Sequence, residues 1–404
     1  MTRPLTRQAQ DYLNALADEL EITEARYRAA ERSYESLGDW LNRRDSSIRD
    51  FGPTVYVQGS FRLGTAIKPL TDQEEYDVDS VCELKVLNKS HLSQMELKRR
   101  VGVEVEAYRR SQNMVKPLRE GRRCWVLDYA DGAQFHMDIV PALPNGWEQR
   151  VLLETYGHDA RYASTAIVIT DHQHPQYELV TNEWPRSNPK GYAEWFRGRM
   201  GAVFERRRRM LAESVRASVE NIPYYQVRTP LQSAIMILKR HRDMTFAGRK
   251  AVCPISVILT TLAAHSYEGE ETIAAALFAI LTKMDRFILR DSRGSATIPN
   301  PTDPLENFAD KWAAHPERER AFCEWLEQAR QDFGRAALLA DQMLIGQVLE
   351  DRLGRELAKR AAQRAGWSGG SMLRGASVAP SAAVPATPAF GNKARVPSRP
   401  EGFA

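Results

Sequence analysis

Hydrophobic spacing divides the chain into stretches of different period. Over about residues 6–46, Leu13, Leu16, Leu20, Tyr27, Tyr34, Leu37 and Leu41 recur at three- and four-residue intervals, or their multiples, between charged positions. That pattern predicts one long helix. Phe51-Gly52-Pro53 ends it, since proline cannot continue a helix. Val55-Tyr56-Val57 then reads as a short strand leading into Gln58-Gly59-Ser60-Phe61-Arg62-Leu63-Gly64-Thr65. An extended, β-branched stretch over 76–84 predicts a second strand, and helical spacing returns over about 90–113. Residues 124–129 and 133–140 flank Asp131-Gly132, a strong hairpin signal.

Beyond Pro141 the pattern changes. A loop-rich stretch runs to about residue 189, and helical segments are predicted near 190–218, 228–243, 254–266, 270–284, 304–332 and 335–364. From Gly366 the chain turns to Ser, Gly, Ala and Pro with scattered Arg, a composition that predicts disorder. The expected organisation is therefore α+β: a mixed sheet-and-helix part over 1–190, a helical lobe over 191–365 and a tail over 366–404.

The chemistry sits on the predicted strands. Asp77 and Asp79 are two apart in an extended stretch, so their carboxylates project from one face. Carboxylates held this close repel one another unless a cation lies between them, and oxygen ligands of this kind suit Mg²⁺. Asp138 falls in the second hairpin arm, on the same face as His136 and Val140. A third carboxylate from a neighbouring strand completes a site for two metal ions. Upstream, the Gly59-Ser60 turn can set backbone N–H groups and a hydroxyl against a phosphate. In this order the parts describe nucleotidyl transfer: Asp77, Asp79 and Asp138 as catalytic metal ligands, with two Mg²⁺ ions, or Mn²⁺ in their place, promoting hydroxyl attack on an α-phosphate.

Composition narrows the class further. With 404 residues, 43% hydrophobic and 27% charged, the chain is long enough for a substantial core and has the make-up of a globular protein. No run of eighteen apolar residues and no signal-peptide core is present, so no membrane partner and a cytoplasmic location are expected. Four dispersed cysteines without a C-x-x-C pair read as reduced, mostly buried thiols. The net charge of +4 suits a protein that handles nucleotides without demanding a long nucleic acid.

Gln58-Gly59-Ser60-Phe61-Arg62-Leu63-Gly64-Thr65 followed by Glu75-Tyr76-Asp77-Val78-Asp79 resembles the signature of the cGAS/DncV-like nucleotidyltransferases (CD-NTases), bacterial synthases of cyclic oligonucleotides in antiphage CBASS signalling. The stretch from Trp184 to Phe196 is similar to the one that precedes the helical half in these enzymes. Asn300-Pro301 with Glu306-Asn307-Phe308-Ala309-Asp310-Lys311-Trp312 resembles a segment shared with oligoadenylate synthetases. The resemblance covers about residues 1–365. It implies a bilobed, polymerase-β-like nucleotidyltransferase with a mixed-sheet N-lobe, a long N-terminal spine helix and a helical C-terminal lobe.

The resemblance also implies an activity: ATP, with or without a second NTP, closed into a cyclic di- or trinucleotide that switches on an effector. The motif wording leans towards an adenosine-rich trinucleotide. Other readings are a linear oligoadenylate synthetase, an RNA- or protein-modifying nucleotidyltransferase, and a catalytically silent nucleotide sensor. Nucleotide contacts are implied for Gln58, Gly59, Ser60 and Arg62, with Ser60 on the donor triphosphate. Lys239, on a helix opened by Thr229-Pro230-Leu231-Gln232, falls where relatives place a phosphate-binding lysine; its alternative is a helix-surface cation. Ser256 is either a further phosphate contact or an ordinary helix cap. Tyr192, Trp195, Tyr224 and Tyr225 are candidate platforms for the bases.

Three basic clusters, Lys98-Arg99-Arg100, Arg119 with Arg122-Arg123, and Arg206 to Arg209, fall in predicted helix surfaces or turns, where a solvated face is the usual explanation. Direct activation by nucleic acid is therefore not expected, and the Cys/His zinc insertion of the DNA-sensing relative is absent. The tail, ending Pro400-Glu401-Gly402-Phe403-Ala404, is either inert or a handle for a ubiquitin-transfer-like or HORMA-type partner, as in some family members.

Overall fold

A computed structural model describes residues 6–69, 76–129, 135–216, 218–219, 226–339 and 341–367. Glu75, the Asp131-Gly132 turn, Tyr224, Tyr225 and the tail from residue 368 lie outside the described residues.

The single N-terminal helix expected from the periodicity is two helices, α1 (Arg7–Leu20) and α2 (Glu24–Leu41). Between them Glu21 is extended and bridges to Ile67, while Lys68 N donates to Leu20 O at 2.8 Å. Backbone pairing with a distant segment thus replaces the helical bonds at the β-branched Ile22-Thr23 pair. The break has a packing consequence. Tyr12, Leu13, Leu16 and Leu20 of α1 join the core of the helical lobe, whereas Tyr27, Ala30, Leu37 and Leu41 of α2 join the core beneath the sheet. Although α1 precedes the expected boundary at residue 190, it packs with the C-terminal helices.

The sheet lobe follows the order β1 (Pro53–Val57), α3 (Gly59–Leu63), β2 (Tyr76–Leu84), α4 (Gln94–Ser111), β3 (Arg119–Glu120), β4 (Trp125–Tyr129), β5 (Phe135–Pro144), α5 (Gly146–Thr155), β6 (Ile167–Ile169) and β7 (Arg186–Ser187). Seven strands pair in the order β1-β2-β5-β4-β3, with β6 on the far end of β5 and β7 on β6. Among the described residues only β2 and β5 run parallel. One face carries Val78, Cys82, Leu84, Phe135, Met137 and Ile139 into a core shared with α2 and α4. The other carries Val81, Val140 and Ala142, with Tyr56, Ile167 and Ile169 beside them. The expected loop from 141 to 189 in fact holds α5, β6 and β7. On α5 only Gln149 and Leu153 are buried while Trp147 and Val151 are exposed, so no clean apolar stripe marks it. The other two strands are too short to show a period.

The helical lobe comprises α6 (Pro189–Ser214), α7 (Pro230–Thr245), α8 (Ser256–Ser266), α9 (Ile273–Lys283), α10 (Pro316–Leu338), α11 (Gln342–Leu353) and α12 (Arg355–Arg364). The helix expected over 304–332 begins only at Pro316, and the one expected over 335–364 is the end of α10 followed by two separate helices. Before α10 the chain forms two small hairpins, β8 (Leu289–Arg290) with β9 (Ala296–Thr297) and β10 (Pro299–Asn300) with β11 (Asp303–Asn307). Asn307 decides this. Its Oδ1 accepts from Ile298 N and Ala309 N, and its Nδ2 donates to Ala296 O, bonds that compete with a helix. Order extends past the expected tail boundary at 366, since Trp367 is buried and stacks on Tyr12 with ring centroids 4.9 Å apart. The four cysteines are free; Cys82 and Cys124 are buried, while Cys323 is exposed. Among the described residues no helix is long and apolar enough to cross a membrane.

Glu104, on α4, holds the sheet lobe's helices together. Its carboxylate accepts from Ser47 N at 2.7 Å and Ser47 Oγ at 2.6 Å and pairs with Arg43 at 2.7 Å. Burial works to raise its pKa, but the Ser47 bonds and Arg43 outweigh it and hold the value below the ordinary 4.5. A depressed carboxylate pKa stabilises the fold at pH above the unfolded value, and that contribution is lost as the pH falls through the folded one. Glu104→Gln is expected to cost about 1.5–3 kcal/mol at neutral pH, with the difference from the parent shrinking below pH 4.5. Urea melts of both proteins across that range check it.

Candidate active site

The parallel register of β2 and β5 builds the site. Asp79 lies opposite Asp138 and Asp77 opposite His136, so the two-residue strand period presents all four side chains on one face. Ser80, pointing the other way, donates its hydroxyl to Asp138 O at 3.1 Å and ties the strands together. The loop from β1 closes the opposite side. Gln58 N donates to Asp79 O at 2.8 Å, and Gly59 follows with φ of +60°. A Cβ at Gly59 would overlap Asp79 Oδ2, so only glycine supplies both the left-handed backbone and the close approach. Ser60 is partly exposed beside it.

Electrostatics make this face unusual. Burial pushes the Asp79 carboxyl up to about 8, and Asp138 and Asp77 push in the same direction against His136 and Lys239. Asp138 is likewise raised, first by burial and then by Asp77, with His136 opposing. Its Oδ1 is buried without a hydrogen-bond partner, and its Oδ2 accepts from Cys124 Sγ at 3.5 Å. His136 Nε2 stands 3.0 Å from Asp77 Oδ1 and 3.8 Å from Asp138 Oδ1. Burial alone would lower its pKa, but the bond to Asp77 and the acidic surroundings lift it to about 9. With Asp77 bonded to His136, no three His, Cys, Asp or Glu side chains among the described residues already converge on one metal position. The donor set nonetheless fits a hard divalent cation: three carboxylates on one face, one of them with an unpartnered buried oxygen.

The residues expected to contact nucleotide divide into groups. Gln58, Gly59 and Ser60 adjoin the carboxylates. Arg62 donates from Nη1 to Val57 O at 3.3 Å, and burial, together with Arg197, lowers its pKa; it braces the turn from within. Lys239 is not a helix-surface cation. It is buried, its Nζ donates to Thr65 O at 3.1 Å, and burial followed by Arg242 lowers its pKa to about 8 while Asp79 and Asp77 act the other way. Ser256 is the first residue of α8 rather than its cap, which is Ile255, and its Oγ accepts from Arg242 Nη1 at 2.9 Å. Tyr192 donates to or accepts from Thr261 Oγ1 at 2.7 Å and packs on Trp195 and Phe308, while Trp195 packs on His265. Both rings are thus engaged with helical-lobe neighbours.

Most residues of the basic clusters are engaged as well. Lys98 is buried against Gly121 O and Glu120; Arg99 and Arg100 both bond Glu96. Arg119 holds Asp128, Arg122 and Arg123 hold Asp171, and Arg206 pairs with Glu271. Sequence reasoning placed His136 on the face of Asp138 but gave it no role there; its pairing with Asp77 comes from the register of β2 and β5. It also missed Thr65, Gln232 and Arg228, whose partners lie more than 150 residues away.

With that geometry in view, the comparisons are consistent. The Second Messenger Oligonucleotide or Dinucleotide Synthetase (SMODS) domain family matches residues 8–166. A c-di-GMP synthase from Roseivirga ehrenbergii is 30% identical over 332 residues, spanning 81% of this chain and 79% of that protein. The cyclic dinucleotide synthase CdnG from Bradyrhizobium diazoefficiens is 24% identical over 318 residues, spanning 74% of this chain and 69% of that one. The structure of the Bradyrhizobium CD-NTase CdnG in complex with GTP superposes with a TM-score of 0.67 at 21% identity, covering 88% of this chain and 98% of that one. The Escherichia coli MS115-1 CdnC:HORMA-deltaN complex gives 0.59 at 12% identity, covering 86% of this chain and 97% of that one. Sheet, helical lobe and sequence agree: the chain belongs to the cGAS/DncV-like nucleotidyltransferases, and it is a nucleotidyltransferase of the cyclic-oligonucleotide-synthesising kind.

Proposed function

We propose that the protein joins two nucleoside triphosphates, GTP at least one of them, into a cyclic dinucleotide messenger for antiphage signalling. The observation that carries this reading is the Asp79–Asp138 register with Asp77 two residues away on the same face. A divalent cation, Mg²⁺ or Mn²⁺, held by Asp77, Asp79 and Asp138 would supply charge neutralisation and activation of the attacking hydroxyl. The chain's own residues do the positioning. Gly59 lets the backbone lie against Asp79, Ser60 offers its hydroxyl to the donor triphosphate, and Gln58 anchors the turn to β2. Lys239, whose charge acts on Asp79 and Asp77 from behind Thr65, offsets the triphosphate's charge. Arg242, whose charge acts on Lys239, donates to Ser256 at the start of α8.

Guanine is favoured over the adenosine-rich trinucleotide because the curated relatives are named as c-di-GMP and cyclic dinucleotide synthases. The E. coli relative solved with a HORMA protein supports a partner of that type for this enzyme, and a nucleotide-activated effector completes the scheme.

Incubation with all four NTPs and Mg²⁺, followed by phosphatase and mass spectrometry, is expected to yield a phosphatase-resistant cyclic dinucleotide containing GMP. A linear product or an adenosine-only ring overturns the assignment.

Asp79→Asn is expected to lower turnover by about 10²–10³-fold or more. The same variant gives a second readout. A carboxylate whose folded pKa is raised from 3.8 to about 8 loses stability as the pH climbs between those values. Thermal melts at neutral pH should therefore show metal-free Asp79→Asn melting above the metal-free parent. Added Mn²⁺ should raise the midpoint of the parent and leave that of the variant in place.

A further inference from the structure

Four donors from the helical lobe and its lead-in meet one short run of backbone just past α3. Gln232 Nε2 donates to Leu63 O at 2.9 Å, Arg228 Nη1 to Gly64 O at 2.5 Å, Lys239 Nζ to Thr65 O at 3.1 Å and Arg240 Nη2 to Lys68 O at 3.2 Å. Three of these residues lie on α7, and Arg228 lies just before it. Arg228 also reaches Glu21 at 2.7 Å and the Tyr27 hydroxyl at 3.0 Å, fastening the break between α1 and α2 to the same place. Gly64, with φ of +66°, is shaped to this grip, since a Cβ there would overlap Gln232 Nε2 and crowd Arg228 Nη1.

The grip lies two bonds from the catalytic turn. Thr65, whose carbonyl Lys239 holds, donates its N–H to Ser60 O at 2.9 Å. A helix of five residues such as α3 cannot keep its own shape. Cationic and amide donors at its C-terminal end satisfy carbonyls that would otherwise lack partners.

We propose that Gln232, with Arg228, Lys239 and Arg240, is a positioning latch: it sets the pitch of the Gly59–Ser60 turn against Asp79 through the carbonyls of residues 63–68. Nucleotide affinity then depends on how firmly the helical lobe holds this backbone. The inference rests on the turn being the triphosphate holder.

Gln232 permits a clean test because its two ends do different work. Its Oε1 accepts from Thr229 N in the cap of α7, while its Nε2 is the latch. Gln232→Glu keeps the acceptor and turns the donor into an oxygen facing Leu63 O. The expected result is faster amide hydrogen exchange at residues 59–66 in the nucleotide-free protein, KM for NTP raised about tenfold, and kcat changed far less. Thr229→Ala removes the hydroxyl's bonds to Gln232 N and Oε1 but leaves Thr229 N on that oxygen and Nε2 on Leu63 O, and should lower the melting temperature while moving exchange at 59–66 and KM far less than Gln232→Glu does. Gly64→Ala, pushing on Gln232 and Arg228 from the other side, should reproduce the Gln232→Glu pattern. Unchanged exchange at 59–66 in both Gln232→Glu and Gly64→Ala overturns the latch. Faster exchange with unchanged KM leaves the latch in place and instead sinks the reading of the turn as the triphosphate holder.

Discussion

Three carboxylates on one face of two hydrogen-bonded parallel strands repel one another, and the sheet does not let them move apart. Asp79 and Asp138 sit at the same register position, and Asp77 is bound to its place by the strand period. Burial amplifies the repulsion because the protein interior screens charge poorly. The rest of the site answers that conflict. His136 leans on Asp77, Lys239 is buried within electrostatic reach, and Gly59 gives up its side chain so that backbone can lie against Asp79. A face this crowded with carboxylates suits a reaction whose substrates arrive with cations.

The architecture serves the same end. The sheet supplies the carboxylates, and the helical lobe supplies the cation and the donors that hold the turn opposite them. Neither lobe builds the site alone. The break at Glu21–Thr23 lets the first two helices enter separate cores, and Arg228 binds that break and Gly64 at once. A continuous helix would present one apolar stripe to one core and leave the seam between lobes without this anchor.

Much of the polar sequence turned out to be structural. Parts of the clusters that suggest a basic surface are matched to buried groups, as with Lys98 on Gly121 O and Arg122 and Arg123 on Asp171, while Arg99 and Arg206 pair at the surface. The same holds in the helical lobe, where His241 accepts from Trp325 Nε1 at 3.0 Å and meets Asp332 at 3.1 Å inside the core. Desolvated polar groups persist only when paired, so counting charges along the chain overstates what the surface offers.

Sequence alone determined the features that depend on residues close together. The two-residue period placed Asp77 and Asp79 on one side of a strand, and Thr229-Pro230-Leu231-Gln232 marked the start of a helix, both as found, while the Gly-Ser pair marked the bend at which α3 opens. These follow from backbone geometry and local hydrogen bonding, which a short window of residues expresses in full. Tertiary structure decided what joins distant segments: the parallel pairing of Asp79 with Asp138, the burial of Lys239 against Thr65, and the break after Leu20 through the Glu21–Ile67 bridge. Such contacts close loops of about 45 to more than 170 residues, and their partners are selected by the packing of whole lobes, which no local pattern in the chain encodes.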